Sequence, residues 1–102
     1  MSLPKKIVIV EDEVITQRFL QDIFAQYDTT VVGCFDNAAD LLAHIKDLSC
    51  DMILMDINIK GPMDGIQLAR KLLEKYTVPI IVFAIRKPVW RNTTSEHLSQ
   101  VW

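Results

Sequence analysis

The chain has 102 residues, half of them hydrophobic and 24% charged, a composition typical of one globular domain with its own core. The formal net charge is −2 and the cationic residues form no long run, so nothing favours a nucleic acid or a membrane surface as partner. No apolar run is long enough for a membrane span, and two cysteines are too few for a zinc site or a disulfide framework. These features predict a cytoplasmic domain.

Short apolar runs alternate with amphipathic stretches along the chain. Runs that are apolar throughout indicate strands buried on both faces of a sheet, and apolar residues recurring every third or fourth position indicate helices. The predicted elements are, in chain order, a strand at 5–10, a helix at 13–27, a strand at 29–35, a helix beginning after Asn37, a strand at 51–55, a helix at 65–76 and a strand at 78–83.

The predicted helices carry apolar stripes and, in two cases, a capping residue. Asn37 and Asp64 are suited to cap the second and third helices, because their side chains can accept a backbone hydrogen bond. The residues expected on the buried faces are Ile15, Phe19, Leu20, Ile23, Phe24 and Tyr27 in the first helix, Leu41, Leu42, Ile45 and Leu48 in the second, and Ile66, Ala69, Leu72 and Leu73 in the third.

Alternating strands and helices joined by short loops predict an α/β fold, with a parallel sheet and helices on both faces. The alternation ends at Phe83. A further crossover, strand and helix would need about 35–40 residues, more than the chain has left. We therefore expect an α/β core over residues 1–83 and an atypical C-terminal tail of the same domain over residues 84–102.

Acidic residues follow two of the predicted strands. Glu11, Asp12 and Glu13 end the first strand, and Asp56 ends the third. The carboxyl ends of parallel strands share one edge of the sheet, so Asp12 and Asp56 face each other if these strands are neighbours. Clustered carboxylates repel, and Mg²⁺ is a natural cation to relieve that repulsion. Each acidic group alone has a simpler explanation. Residues 11–13 would be favourable at the N-terminus of the helix that follows, and Asp56 would be an ordinary turn-forming residue.

The stretches "KKIVIVEDE", "DMILMDINIKGPMDGIQLARKL" and "VPIIVF" resemble the receiver domain of bacterial two-component response regulators. The resemblance covers residues 5–83 in register. It implies a flavodoxin-like doubly wound parallel sheet of order 2-1-3-4, with the fifth strand and last helix missing or replaced. It also implies that the first and third strands are neighbours.

The resemblance also implies roles for individual residues. Asp56 resembles the aspartate that accepts a phosphoryl group from a histidine kinase or phosphotransfer protein. Asp12 and Glu11 resemble the acidic pair that holds Mg²⁺, with Asp56 itself and the backbone carbonyl of Asn58 completing the protein ligands. Such a domain is a signalling module rather than an enzyme, and passes its signal to an output domain or downstream protein that is not in this chain.

Two positions depart from the family pattern. Receivers have a serine or threonine after the fourth strand, where this chain has Ala84. They have a lysine after the fifth strand, and Lys87 comes too soon after Phe83 for a parallel crossover to precede it. Lys87 is thus either a displaced phosphoryl contact or a loop lysine, and Thr93 or Thr94 is a weaker substitute for the missing hydroxyl.

Two other functions remain open. A degenerate receiver that no longer switches would act as an interaction module, which Ala84 favours and the intact acidic set disfavours. A Mg²⁺-dependent aspartyl-phosphate phosphatase would need a second acid at the position of Asn58. The missing C-terminal elements leave apolar surface that the tail could cover with Val89, Trp90, Val101 and Trp102, or that a non-standard homodimer could cover through the C-terminal region.

Overall fold

A computed structural model describes residues 4–84 of the chain. Strands and helices alternate as the sequence predicts, and most helices end slightly earlier than expected. The elements are β1 (Lys6–Val10), α1 (Val14–Ala25), β2 (Thr30–Phe35), α2 (Ala38–His44) with a 3₁₀ turn at Ile45–Asp47, β3 (Met52–Asp56), α3 (Gly65–Leu73) and β4 (Ile80–Phe83).

The four strands form one parallel sheet of order β2-β1-β3-β4. This order confirms the flavodoxin-like α/β prediction, including the pairing of the first and third strands. β1 lies between β2 and β3, and its residues from Ile7 to Val10 are completely buried. That burial explains why the strand is apolar on both faces. None of the helices in residues 4–84 has the length and apolar character that a bilayer-spanning helix requires.

The main core fills the side of the sheet that α2 and α3 cover. Alternate residues of the two central strands, such as Val8 and Ile53, point to this side and pack with Leu41, Leu68 and Leu72 of the helices. Both predicted caps are present: Asn37 accepts a hydrogen bond from the amide of Asp40, and Asp64 forms a capping box with Gln67.

The predicted buried face of α3 was wrong in part. Leu68, Ala69 and Leu72 are buried, whereas Ile66 and Leu73 are exposed. The buried residues follow the i, i+3, i+4, i+7 pattern from Gly65, and Ile66 and Leu73 lie one position further round the helix. Apolar character alone could not show that Ile66 and Leu73 lie on the exposed face of α3 rather than on its buried face.

The predicted buried face of α1 was also wrong in part. The exposed fraction is 76% for Ile15 and 60% for Phe19, and Tyr27 beyond the helix is exposed as well. Leu20, Ile23 and Phe24 are half-buried, and the buried residue of the helix is Thr16. The helix therefore packs on the sheet through a narrow face, and the flank with Ile15 and Phe19 is exposed.

The adjacent leucines of α3 provide a matched test of this packing. We expect Leu72→Ala to lower the free energy of unfolding by about 2–5 kcal/mol, because Leu72 is fully buried in the core. Leu73→Ala should cost about 0.5 kcal/mol or less, because Leu73 is 59% exposed. Urea denaturation of the two variants checks this, and equal losses would contradict the orientation of α3.

Candidate functional site

Three carboxylates meet at the carboxyl edge of the sheet. Val10 pairs with Met55, so Glu11 and Asp12, which follow β1, lie beside Asp56 at the end of β3. One carboxylate oxygen from each of Glu11, Asp12 and Asp56 lies within 4.8 Å of the others. The structure thus brings together the acidic residues that the sequence separates by more than 40 positions.

The three carboxylates differ in exposure. Glu11 and Asp56 are completely buried, and Asp12 is half-buried. Buried carboxylates are costly unless hydrogen bonds, opposite charge or protonation stabilise them. Two of the three carboxylates are therefore shielded from solvent, and the third, Asp12, is partly exposed. A cation could reach the cluster from the side of Asp12.

Hydrogen bonds at the start of α1 hold Glu11 in place. The amide of Glu13 donates to Oε1 of Glu11 at 3.0 Å, and Nε2 of Gln17 donates to the carbonyl oxygen of Glu11 at 2.5 Å. The carboxylate of Glu13 instead accepts a bond from the Thr16 hydroxyl, 3.0 Å away. Glu13 thus belongs to the first turn of the helix rather than to the carboxylate cluster, and Gln17 is a supporting residue that the sequence did not reveal.

Backbone hydrogen bonds hold the residues that follow Asp56. The amide of Ile57 donates to the carbonyl oxygen of Phe83 at 2.8 Å, which extends the pairing of β3 and β4 past Asp56. The amide of Asn58 donates to Oδ1 of Asp56 at 3.1 Å. These bonds fix both the backbone and the carboxylate of Asp56 beside the acidic pair.

Comparison with protein-family models matches residues 7–94 to the response regulator receiver domain. The chain belongs to this family. A relative among curated proteins is the TorCAD operon transcriptional regulatory protein TorR of Escherichia coli K12, 42% identical over 80 residues. Another is a protein-glutamate methylesterase/protein-glutamine glutaminase of Syntrophomonas wolfei, 27% identical over 81 residues.

A solved receiver has the same architecture. The response regulatory domain of protein MrkE from Klebsiella pneumoniae superposes with a TM-score of 0.70 and 30% identity, over 85% of this chain and 69% of that one. The alignments include 78% of this chain for both TorR and the methylesterase, but only 34% and 23% of those proteins. This receiver thus spans about a third or less of these curated relatives.

Gly65 allows α3 of this receiver to approach the end of β3 closely. A β-carbon at Gly65 would collide with the carbonyl oxygen of Asp56 and lie 2.8 Å from the Cα of Ile57. The amide of Gly65 donates to the carbonyl oxygen of Ile57 at 2.8 Å. The absence of a side chain at Gly65 thus brings the helix into backbone contact with the end of β3.

The loop between Asp56 and α3 is attached to the loop that precedes α2. Lys60 donates its amide to the carbonyl oxygen of Asp36 at 3.3 Å, and its ammonium lies 3.6 Å from the Asp36 carboxylate. Gly61 follows with φ of +96°, a conformation that glycine adopts without steric cost. The loop after Asp56 is thereby tied to the chain that follows β2.

Ala84, one of the two positions at which this receiver departs from the family pattern, lies at the carboxyl edge of the sheet. Ala84 is exposed and follows Phe83, the residue that pairs with Asp56. Its methyl group offers no hydrogen bond to a phosphoryl group. Lys87, Thr93 and Thr94 lie outside the described residues.

Both cysteines of this receiver, Cys34 and Cys50, are half-buried. Burial raises the pKa of the Cys34 and Cys50 thiols, although a hydrogen bond from Gln21 opposes the effect at Cys34. Thiols with a raised pKa stay protonated at neutral pH and are poor nucleophiles. The cysteines are therefore weak candidates for chemistry in this domain.

Gly65→Ala tests the contact between α3 and β3. We expect a loss of about 1–3 kcal/mol in the free energy of unfolding, because the new methyl group must push the helix away from Asp56. Ile66→Ala, at the exposed next position, is the control and should be close to neutral. Thermal and urea denaturation measure both effects, and a neutral Gly65→Ala would disprove the close approach.

Proposed function

We propose that this receiver accepts a phosphoryl group on Asp56 from the phosphohistidine of a histidine kinase or phosphotransfer protein. The observation that carries the proposal is the carboxylate cluster, in which Asp56 ends a buried strand with Glu11 and Asp12 within 4.8 Å. Membership of the receiver family supports the same assignment.

Mg²⁺ fits this donor set. Oxygen ligands from a few carboxylates, with room for water, suit a small hard cation. We assign the ligands to the carboxylates of Glu11, Asp12 and Asp56 and to the backbone carbonyl of Asn58. Bound there, the ion would neutralise charge on the acceptor and on the transferring group.

The carboxylate of Asp56 is the proposed nucleophile. One of its oxygens attacks the phosphorus, the phosphorus–nitrogen bond of the phosphohistidine breaks, and the imidazole leaves with a proton from solvent. The amide of Asn58 holds Oδ1 of Asp56, so the side chain keeps one orientation toward the incoming group. Positioning and charge neutralisation thus supply the catalysis within the domain.

We further propose that phosphorylation changes how the receiver binds an output domain or downstream protein, in the cytoplasm. TorR is named a transcriptional regulator and is about three times as long as the matched region, which is consistent with a receiver that controls a further domain. The methylesterase carries an enzymatic name, but its match to this chain covers only 23% of its length. We therefore place any such activity outside the receiver and propose that this chain is not itself an enzyme.

A receiver that binds partners without switching is the second candidate, and Ala84 is the observation that favours it. The methyl side chain follows β4 at the active edge, where it cannot donate a hydrogen bond to a phosphoryl oxygen. A phosphatase has no comparable support, because Asn58 replaces the required second acid and its side chain is exposed.

Intact-mass spectrometry with a small-molecule phosphodonor tests phosphoacceptance. We expect one phosphoryl adduct on the wild-type protein with Mg²⁺ and no adduct with a chelator. Asp56→Asn should show no adduct, because the amide is not a nucleophile. Asp28→Asn is the matched control, since Asp28 is an exposed aspartate before β2, at the opposite edge of the sheet, and it should label normally.

Two outcomes would change the assignment. An adduct that persists in Asp56→Asn would place the phosphoryl group on another residue. No adduct on a folded wild-type protein would reject phosphoacceptance from such donors and favour the non-switching module. A Mg²⁺-dependent adduct confined to proteins with Asp56 intact supports the proposal.

Asp12→Asn tests the metal site without relying on phosphoryl transfer. In the absence of metal, we expect the variant to be about 1 kcal/mol more stable than the wild type, because one of three close negative charges is removed. Added Mg²⁺ should stabilise the wild type and have little effect on the variant. Urea denaturation gives the free energy of unfolding of the wild type and of the variant, each with and without Mg²⁺. Equal stabilisation of the two proteins by Mg²⁺ would exclude Asp12 as a ligand.

A further inference from the structure

One flank of α1 is apolar and faces away from β2. Gln21 and Ala25 line a cavity with Cys34 and other residues of β2, so their flank of the helix faces that strand. Ile15 and Phe19 lie about 120° round the helix from that pair, on the other side of the half-buried residues Leu20 and Ile23, given the 100° rotation per residue of an α-helix. The sheet order places β3 and β4 on the side away from β2. The exposed flank of α1 therefore borders the outer half of the sheet.

The outer half of the sheet is also apolar on the α1 side. Cys34, Ile9, Leu54 and Ile81 pair in sequence across the four strands and so point to one face. The interaction of Gln21 with Cys34 identifies that face as the α1 side. Ile9 is fully buried, Leu54 is half-buried and Ile81 is 51% exposed. Coverage by the described residues thus fades from β1 to β4.

We define the open face as Ile15, Phe19, Leu54 and Ile81. These four residues are apolar and exposed or half-buried, and they belong to a flank of α1 and to the two strands β3 and β4 on the same side of the sheet. An apolar surface of this kind on a small domain marks a place where another element or partner packs. β4 adds four apolar residues without a charged side chain, of which Ile81 and Val82 are exposed, and this increases the need for cover.

We propose that residues 85–102 of the same chain pack on the open face. The segment begins next to Ala84, at the end of the strand that carries Ile81. Its sequence places Leu98, Val101 and Trp102 at the i, i+3, i+4 spacing of one helix face, after the possible caps Thr94 and Ser95, and places Val89 and Trp90 before them.

The segment has the reach that this packing requires. The ten residues between Ala84 and Ser95 span up to about 33 Å when extended. A five-residue strand is only about 17 Å long, so the chain can return over the sheet. Attachment to β4 also raises the effective concentration of the segment at this surface above that of a second molecule.

Charge favours the same occupant. The segment carries Arg86, Lys87 and Arg91 against one acid, Glu96, while residues 1–84 have more acidic than basic side chains. The carboxylate cluster lies at the end of β4, because Asp56 pairs with Phe83. Because Arg86 and Lys87 follow β4 closely in sequence, we expect this negative charge to attract the start of the segment to that edge of the sheet.

The two tryptophans make the proposal testable, because Trp90 and Trp102 are the only ones in the chain. In the wild-type protein we expect blue-shifted tryptophan emission and partial protection from acrylamide quenching. Phe19→Asp should shift the emission to the red and increase quenching, because it places a charge in the open face. Ile15→Asp, on the same flank, should act in the same direction.

Leu73→Asp is the matched control. Leu73 has nearly the same exposure as Phe19 but lies on α3, which packs on the other side of the sheet. It should leave emission and quenching unchanged, and far-UV circular dichroism confirms that each variant remains folded. Wild-type tryptophans that quench as freely as in urea would overturn the proposal, as would equal shifts in Leu73→Asp and Phe19→Asp.

A second copy of the chain is the competing occupant, and sedimentation velocity over a range of concentrations separates the two. Protected tryptophans in a monomer support packing within one chain. Protection that appears only with a dimer would overturn the proposal and assign the open face to self-association. The readout does not involve Asp56 or Mg²⁺, so its outcome is independent of phosphoacceptance.

Discussion

The site depends on the parallel pairing of β1 with β3. These two strands are separated in sequence by a helix, a strand and a second helix, and their register places Glu11 and Asp12 beside Asp56. A shift of one residue in either strand would turn its alternating side chains to the opposite face and bury different groups. The register is held by the core, since Val8 and Ile53 are fully buried against the helices. The packing of apolar side chains thus determines where the carboxylates meet.

The same arrangement opposes stability. Glu11 and Asp56 are fully buried close to Asp12, and close carboxylates are unfavourable in proportion to their burial and proximity. A cation bound to this cluster would relieve the repulsion and so stabilise the folded protein. Gly65 contributes in a different way, because its lack of a side chain lets α3 support the backbone of Asp56 directly. The packed core and the contact at Gly65 therefore hold the three carboxylates together despite their repulsion.

Local patterns predicted the strands, and the rule that parallel strands share an edge predicted a carboxylate cluster if the first and third strands were neighbours. The order of the strands, and with it that adjacency, was implied by the resemblance to receivers. Prediction from the sequence failed where the answer depends on neighbours in space. Ile66 and Leu73 are apolar and near the right spacing, but only the packing of α3 shows that they lie beyond the buried stripe. The role of Gly65 was missed because a close approach between a helix and a strand leaves no signal beyond the glycine itself. The hydrogen bond from Gln17 to Glu11 was hidden for the same reason.

The two sides of the sheet differ in how completely they are covered, and this difference bears on the site. On the α2 and α3 side the described helices bury Leu68 and Leu72 against the strands. On the α1 side the cover decreases toward β4. β4 is nevertheless the strand whose Phe83 carbonyl accepts the hydrogen bond from Ile57, directly after Asp56. A segment that packs on the open face would stabilise β4 and, through that bond, the backbone next to Asp56. Packing on the open face and the geometry of the carboxylate cluster are therefore linked through β4, the strand at the edge of the described sheet.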